Sequence, residues 1–505
     1  MAQYLLGIDN GGTVTKAALY AADGTELAVA KAKTRTLYPH PGHIERDLDE
    51  FWAANAQVIA QVIRLAKVDA ADIAGVAAAG YGCGLHLVAE DGNPAWNGII
   101  STDSRASEYV RKYYSDGTFA RVLPKTCQSI WAAQPAALLP WFRDHRPDVL
   151  EKTRWILSCK DYIRFKLTGE PLSEVTDSSG TSLVNIHSLV HDPELLDAFG
   201  LSDLRGKFPQ LRKSGEICGR VTRAAAEQTG LKEGTPVAGG LFDVSACAIA
   251  TGLVDPETLC VIAGTWSINE YLSRAPVKSP SLFMSSGYCI PGYWLILEAS
   301  PTSASNLEWF VSELMQGGQK DDLAGGGAVF EECSRLVASV AAHESDVAFL
   351  PFLYGSNAGP NASSCFLGMH GWHTKAHLLR AVFEGVTFSH KTHIDRLMAY
   401  RDRAAAVRFA GGAAKSSIWL QMFADVLQLP VEVTATQELG AMGAALCAGV
   451  AIGMFGSFPE AVSRMVRVTN AVQPNPGMKS VYEDKYRRYQ SYLAALSTVW
   501  DRPTA

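Results

Sequence analysis

A chain of 505 residues exceeds what one hydrophobic core can serve, so two large domains are expected. Apolar residues make up 48% and charged residues 19%, which excludes an intrinsically disordered chain. The net charge of −6 argues against nucleic acid as the main partner, and no run approaches the ~18 apolar residues of a membrane span.

The opening MAQYLLGID enters an apolar run without a basic leader, so a cytoplasmic protein is expected. Residues 4–8 and 15–20 read as strands around the small-residue turn of GIDNGGTVTK, Gly7 to Lys16. Asp23-Gly24 turns into a third strand, Leu27 to Ala30. A helix from Asp47 to about Lys67 follows, its apolar residues Leu48, Phe51, Trp52, Val58, Ile59, Val62 and Ile63 spaced near 3.6. Ile73 to Ala79 is a buried strand ending in the open loop Gly80-Tyr81-Gly82-Cys83-Gly84. Open α/β sheets place ligands at that strand edge. Residues 100–235 are helix-rich, with breaks expected at Pro124, Pro135, Pro147, Pro171, Pro193 and Pro209.

Gly234 to Ala250 reads strand, Gly239-Gly240 turn and helix. VIAGTWSINEY, Val261 to Tyr271, then repeats the opening hairpin, and RFAGGAAKSS leads from a strand into a helix ending near Leu427. A charged helix from about Tyr482 to Leu496 closes the chain. The order hairpin, then strand with a glycine loop, thus occurs twice, with the division near residue 250. The ten cysteines lie between Cys83 and Cys447 without a CxxC pair, which fits reduced, buried thiols and not a structural zinc.

The paired turns carry the chemistry. Gly11, Gly12, Thr13 and Val14 in the first, and Gly264 and Thr265 in the second, offer backbone N–H groups and hydroxyls to phosphate oxygens. Lys16 adds a point charge able to reach a phosphate, and Asp9 a carboxylate suited to Mg²⁺ or its waters. A glycine turn on its own is more often structural, and neither a P-loop nor a dinucleotide fingerprint is present. Asp243, after two glycines at a helix start, suits a general base that accepts a hydroxyl proton; an ordinary N-cap is the competing role. Gly411, Gly412, Ala413 and Ser416 give an adenine ring a flat backbone surface, or else form a plain strand-to-helix turn. Asp103 and Arg105 are a polar pair suited to sugar hydroxyls or to a surface ion pair. Tyr81 suits sugar stacking; Asp161 and Asp177 line the same pocket or cap turns. Trp131, Trp141 and Trp309 are expected in the core.

Together these stretches resemble the FGGY family of carbohydrate kinases over essentially the whole chain. GIDNGGTVTK matches its first phosphate hairpin, GGLFDVSA its catalytic-Asp segment and AGTW its second phosphate turn. AGGAAKSSIWLQMFADVL matches the adenosine segment, and Ser364 to Gly385 the C-terminal signature. GHIERDLDEFW, KDYIRFKLTGE, GEICGRVT, EASPTSASNLEWF and FLPFLYGSNAG are most similar to the L-xylulose/3-keto-L-gulonate kinases of that family. Three positions depart from the pattern: Gly12 stands where Thr is usual, Leu138 where a Lys is expected, and Tyr81 where Gln, His or Glu is common.

The resemblance implies an α/β fold of two actin-like (ribonuclease H-like) lobes with a nucleotide and sugar cleft between them. The N-terminal lobe is placed at 1–248 and the C-terminal lobe at 249–505. It implies ATP and Mg²⁺ as cofactors, with Asp9 and Asp243 at the metal. Asp243 becomes the catalytic base, and Tyr81, Asp103, Arg105 and Asp243 the sugar contacts. The implied reaction phosphorylates a terminal hydroxyl of a ketose, most of all a ketopentose such as L-xylulose. 3-Keto-L-gulonate, D-xylulose, ribulose or a polyol such as erythritol are the alternatives, and an actin-fold ATPase without sugar kinase activity is the rival class. A homodimer is the expected assembly.

Overall fold

A computed structural model describes residues 3–316, 327–356, 358–359 and 361–500. Asn357, within the FLYGSNAG stretch, lies outside them. The chain forms two compact units. The first comprises Met1–Val254, Leu272–Ile296 and Thr436–Arg467; the second comprises Asp255–Tyr271, Leu297–Ala435 and Val468–Ala505. The sequence division at 248 and 249 follows chain order, whereas this division follows contacts and returns two later segments to the first unit.

The first unit is built on a seven-stranded sheet. Tyr4–Asn10 and Val14–Ala21 form an antiparallel hairpin that pairs Asp9 with Lys16, and Glu26–Lys33 extends it. On its other side Tyr4–Asn10 runs parallel to Ile73–Gly80, which also receives Pro236–Ala238 and Leu241–Phe242 in parallel. The helix Leu48–Ala66 covers one face. Asp47 caps it by accepting from the N–H groups of Asp49 and Glu50, and Lys67 ends it in the left-handed region. Its buried stripe includes Phe51, Trp52, Val58, Ile59 and Val62, and full burial of such side chains contributes about 1.5–3 kcal/mol each.

Helix Leu439–Ala451 packs on the same sheet through small residues. A Cβ on Gly7 would meet the Ala441 carbonyl oxygen at 1.8 Å, and one on Gly443 would meet that of Ala246 at 2.2 Å. Glycine is required where this helix approaches strand Tyr4–Asn10 and helix Asp243–Ala250 this closely.

Among helices of residues 100–235, Pro135, Pro147 and Pro193 each stand at the first position, where a missing N–H is harmless. The break expected at Pro124 does not occur: helix Thr118–Thr126 runs through it. Pro124 lies in the last turn, where its missing N–H forfeits one bond, to the Ala120 carbonyl, and the helix ends two residues later.

The second unit repeats the theme. Thr258–Ala263 and Ser267–Ser273 form an antiparallel hairpin, and Thr258–Ala263 runs parallel to Ala406–Ala410. Val431–Thr434 continues the sheet in parallel and Val468–Val472 closes it antiparallel. Helix Lys375–Met398 crosses this unit with a buried polar line: Arg380 bonded to Glu384 at 2.8 Å, and His390 held between Ser303 and Asn269. The charged C-terminal helix runs Lys479–Trp500, and its Tyr482, Tyr486 and Tyr489 are buried. No helix among the described residues is long and apolar enough to cross a membrane.

Candidate functional site

In the first unit the strand ends Asn10, Gly80 and Phe242 adjoin through the sheet register, so Asp9, Tyr81 and Asp243 leave the sheet at one edge. Asn10 ties the edge together: its Nδ2 donates to the Ala79 carbonyl at 3.3 Å, and Thr15 donates to its Oδ1 at 2.8 Å. The backbone carbonyl of Asn10 accepts from Tyr81 N at 3.0 Å. The turn beyond it is closed by Gly11 N donating to Val14 O at 3.0 Å, which leaves Gly12 and Thr13 exposed at the tip. Val14 is partly buried and returns the chain to the sheet.

Asp243 begins helix Asp243–Ala250. Gly240, at φ +85°, permits the preceding turn, and a Cβ there would stand 2.2 Å from the Ala78 carbonyl oxygen. Thr176 fixes the last strand residue by accepting from Phe242 N at 2.9 Å. The Asp243 carboxylate accepts one N–H, from Val244 at 2.7 Å. Burial first, then the negative charges of Asp9 and Asp177, hold its carboxyl well above the usual carboxylate range. An N-cap would carry the opposite shift, because capping N–H groups favour the ionised form; the cap position is Phe242.

Asp9 is also raised, chiefly by burial, with Lys16 pulling it down and Glu438 pushing it up. Lys16 Nζ lies 3.9 Å from Asp9 Oδ2 and 3.1 Å from Glu438 Oε2. Its pKa is raised: burial opposes the charged form, and the two carboxylates outweigh it. Lys31 pairs with the same Glu438. The sequence reading missed Glu438, whose place beside Lys16 depends on a return of the chain more than 400 positions later.

Asp9 and Asp243 flank Asn10 and Phe242, which both pair with Gly80, and two carboxylates at one sheet end are a suitable set for Mg²⁺, which takes few protein oxygens and completes its shell with water and phosphate. No group of three or more His, Cys, Asp or Glu suited to a metal occurs among the described residues. Asp9 and Asp243 thus fit a cation shared with a phosphate ligand, not an all-protein cage.

Tyr81 is buried at 4% exposure, its hydroxyl 3.3 Å from His86 Nε2. Burial drives the pKa of His86 down to about 3, and Arg46 adds to that, so the ring is neutral. Asp103 and Arg105 do not form a surface pair: both side chains are inaccessible, with Arg105 Nη2 2.9 Å from Asp103 Oδ2 and 2.8 Å from Glu45 Oε1. Asp103 also accepts from Ile44 N at 2.6 Å, and the Arg105 guanidinium lies over the Trp141 ring at 5.0 Å. The pair locks segment 44–46 in place; Arg105 Nη1 is the one donor of the set without a partner.

Asp161 and Asp177 sit in a buried charge cluster. Lys160 lies 3.0 Å from Asp161, 3.2 Å from Glu174 and 3.8 Å from Asp177, and Arg164 lies 2.8 Å from Asp161. Asp161 is held low because Lys160 and Arg164 outweigh its burial. Asp177 is pushed up to about 7, chiefly by burial. Trp131, Trp141 and Trp309, expected in the core, are each only partly buried; Trp131 stacks on Phe283 at 4.8 Å.

In the second unit the two predicted nucleotide turns are neighbours. Ile262 pairs with Ala410, and a Cβ on Gly411 would stand 2.4 Å from the Ala263 carbonyl oxygen. Gly264 closes its hairpin by donating to Trp266 O at 3.3 Å, leaving Thr265 exposed. Gly412 is exposed and Ala413 buried in the short turn Gly412–Lys415. Ser416 caps helix Ser417–Leu427 by accepting from Trp419 N at 3.4 Å, so its hydroxyl already has a structural duty.

Comparison with known proteins matches the N-terminal domain of the FGGY family of carbohydrate kinases at residues 4–250 and its C-terminal domain at 259–452. The L-xylulose/3-keto-L-gulonate kinase of Escherichia coli (strain K12) is 38% identical over 98% of each chain. A probable L-xylulose kinase of Pasteurella multocida (strain Pm70) is also 38% identical, over 98% of this chain and 99% of its own. Among solved structures, xylulose kinase from Rhodospirillum rubrum superposes with a TM-score of 0.88 at 26% identity, covering 99% of this chain and 100% of that one. Plasmodium falciparum glycerol kinase with ADP, at 18% identity and a TM-score of 0.85 over 97% and 98% of the two chains, shares the fold. The architecture is the actin-like two-domain α/β fold with two large sheets. With both domains matched in order along the chain, the protein belongs to the FGGY family of carbohydrate kinases.

Proposed function

We propose that this kinase transfers the γ-phosphoryl group of ATP, as its Mg²⁺ complex, to a terminal hydroxyl of a ketopentose, L-xylulose first among them. The observation that carries the mechanism is Asp243, a partly buried carboxyl at a strand edge, raised in proton affinity by burial and by Asp9. Phosphoryl transfer to an alcohol needs chiefly positioning and charge stabilisation, with one carboxylate to accept the hydroxyl proton. Asp243 takes that proton as the sugar oxygen attacks phosphorus. Asp9 and Asp243 would hold Mg²⁺, which supplies positive charge that neutralises the carboxylate pair and the phosphate oxygens.

Gly11, Gly12, Thr13 and Val14 present the first phosphate turn, and Lys16 offsets phosphate charge when it exchanges Glu438 for the ligand. Gly264 and Thr265 form the second phosphate turn; Gly411, Gly412, Ala413 and Ser416 receive the nucleoside. Residues 1–248 carry the sugar pocket, with Tyr81 in direct contact. Asp103 and Arg105 act on the sugar through the segment they lock. The similarity to an L-xylulose/3-keto-L-gulonate kinase and to a probable L-xylulose kinase supports the acceptor. We place the enzyme in the cytoplasm as a homodimer, an assembly that light scattering would read.

The test is a coupled ADP-release assay with Mg·ATP against L-xylulose, D-xylulose, D- and L-ribulose, 3-keto-L-gulonate, erythritol and glycerol. L-Xylulose is expected to stand out by kcat/KM. A panel showing only slow, acceptor-independent ATP hydrolysis would remove the ketose reading.

A further inference from the structure

Arg46 is one of the largest fully buried side chains, at 1% exposure, and makes no ion pair among the described residues. Its neighbour Glu45 is taken by Arg105 Nη2 at 2.8 Å, by Trp96 Nε1 at 3.2 Å and by Asn97 Nδ2 at 2.9 Å. The strand Glu45–Arg46 pairs with Gly98–Ile99, so its two side chains point to opposite faces. Glu45 enters the Asp103–Arg105 lock, and Arg46 enters the space behind the first phosphate turn.

There Arg46 Nη2 donates to the Gly12 carbonyl and, at 3.4 Å, to that of Gly11. Its guanidinium carbon lies 4.5 Å from the centroid of the Phe51 ring and 5.4 Å from that of Tyr81. Nε and Nη1 have no hydrogen-bond partner. A buried guanidinium held by two carbonyls and two aromatic faces is a costly arrangement, since a desolvated cation normally needs a carboxylate. Cation–π contact with the two rings returns part of that cost.

We infer that Arg46 is a positioning residue that fixes the Gly11–Gly12 turn from behind and links it to the sugar position at Tyr81. Gripping both carbonyls turns their peptide planes inward, so the N–H groups of the tip face the phosphate side. Gly12, which lacks the side chain that would otherwise stiffen this tip, makes such a grip necessary. Tyr81 enters twice: its ring is a platform for the guanidinium, and its N–H bonds Asn10 just before the turn. A group that moves Tyr81 therefore moves the support of the phosphate turn. The inference rests on the proposed phosphate role of that turn.

The experiment is calorimetric titration of Mg·ATP into wild type, Arg46→Gln, Arg46→Lys, Tyr81→Leu and the Arg46→Gln/Tyr81→Leu double variant, with a melting temperature for each. Arg46→Gln is expected to weaken Mg·ATP at least 20-fold. Arg46→Lys, which keeps the charge but not the two-carbonyl grip, should fall about 5-fold, and Tyr81→Leu about 3-fold. The double variant should bind no more weakly than Arg46→Gln alone, because both changes break one link. Folded Arg46→Gln with affinity within twofold of wild type overturns the inference, as do effects of Arg46→Gln and Tyr81→Leu that simply multiply. Should Arg46→Gln fail to fold, Arg46→Lys decides, and wild-type affinity there overturns it. The titration needs no acceptor: a wild type that binds Mg·ATP yet phosphorylates no sugar removes the ketose reading and leaves this result standing.

Discussion

The Cβ that Gly440 lacks would stand 2.4 Å from Cγ of Asp9, and 2.6 and 2.7 Å from its two carboxylate oxygens. The start of helix Leu439–Ala451 therefore sets where the Asp9 carboxylate can lie.

Gly440→Ala tests this. Gly440 stands in the first turn of the helix, where alanine gains little over glycine, while overpacking costs about 1–3 kcal/mol. The change is therefore destabilising on balance, and the Asp9 side chain is the group free to yield. We expect a modest fall in melting temperature and a Mg²⁺ requirement raised at least tenfold, read from turnover against free Mg²⁺. An unchanged Mg²⁺ dependence would remove Asp9 from the cation site.

Gly411→Ala addresses the second unit. Gly411 has φ +94° and its missing Cβ faces the Ala263 carbonyl oxygen at 2.4 Å, so both backbone strain and a backbone clash oppose the change. Such strain costs about 1–3 kcal/mol. The turn should shift away from the hairpin, with Mg·ATP binding weakened about tenfold or more and sugar affinity unchanged by direct titration.

Asp177 makes stability depend on pH. Its folded-state pKa of about 7 exceeds the unfolded value of 3.8, so the folded chain holds a proton the unfolded chain has lost. The sign follows from linkage: this contribution is fully present below pH 3.8 and is lost as pH rises through about 7. Asp177→Asn stays neutral throughout. Its stability relative to wild type should therefore rise between pH 4 and 7, by denaturant titration at each pH. A constant difference across that window would mean that Asp177 is ionised in the folded state at all of them.

Much of the frame was legible because it is local. The hairpin Tyr4–Asn10/Val14–Ala21 shows in alternation around a glycine turn, and Leu48–Ala66 shows in its 3.6-residue spacing and its Asp47 cap. The place of Asp243 at a helix start was legible from the glycines that precede it. The return of Thr436–Arg467 to the first unit was not. Leu439–Ala451 is small and apolar on every side, so it carries no stripe to say which sheet it covers. Glu438 and Gly440 were hidden with it.

Buried charge defeats sequence reading in a second way. Asp103, Arg105 and Arg46 look like surface residues, and only the tertiary lock of Glu45, Asp103 and Arg105 brings them inside. Gly12, read as a missing hydroxyl, turns out to be where Arg46 bonds the backbone.

The central claim is that Asp243 accepts the hydroxyl proton. The most direct measurement compares sugar-dependent ADP formation by wild type and Asp243→Asn, using the best ketose of the panel, with Mg·ATP affinity titrated in parallel. The amide keeps shape and loses the base, so turnover should fall about 10²–10⁴-fold while Mg·ATP affinity stays within a few-fold. Near-normal sugar-dependent turnover in Asp243→Asn would contradict the account and move the base elsewhere.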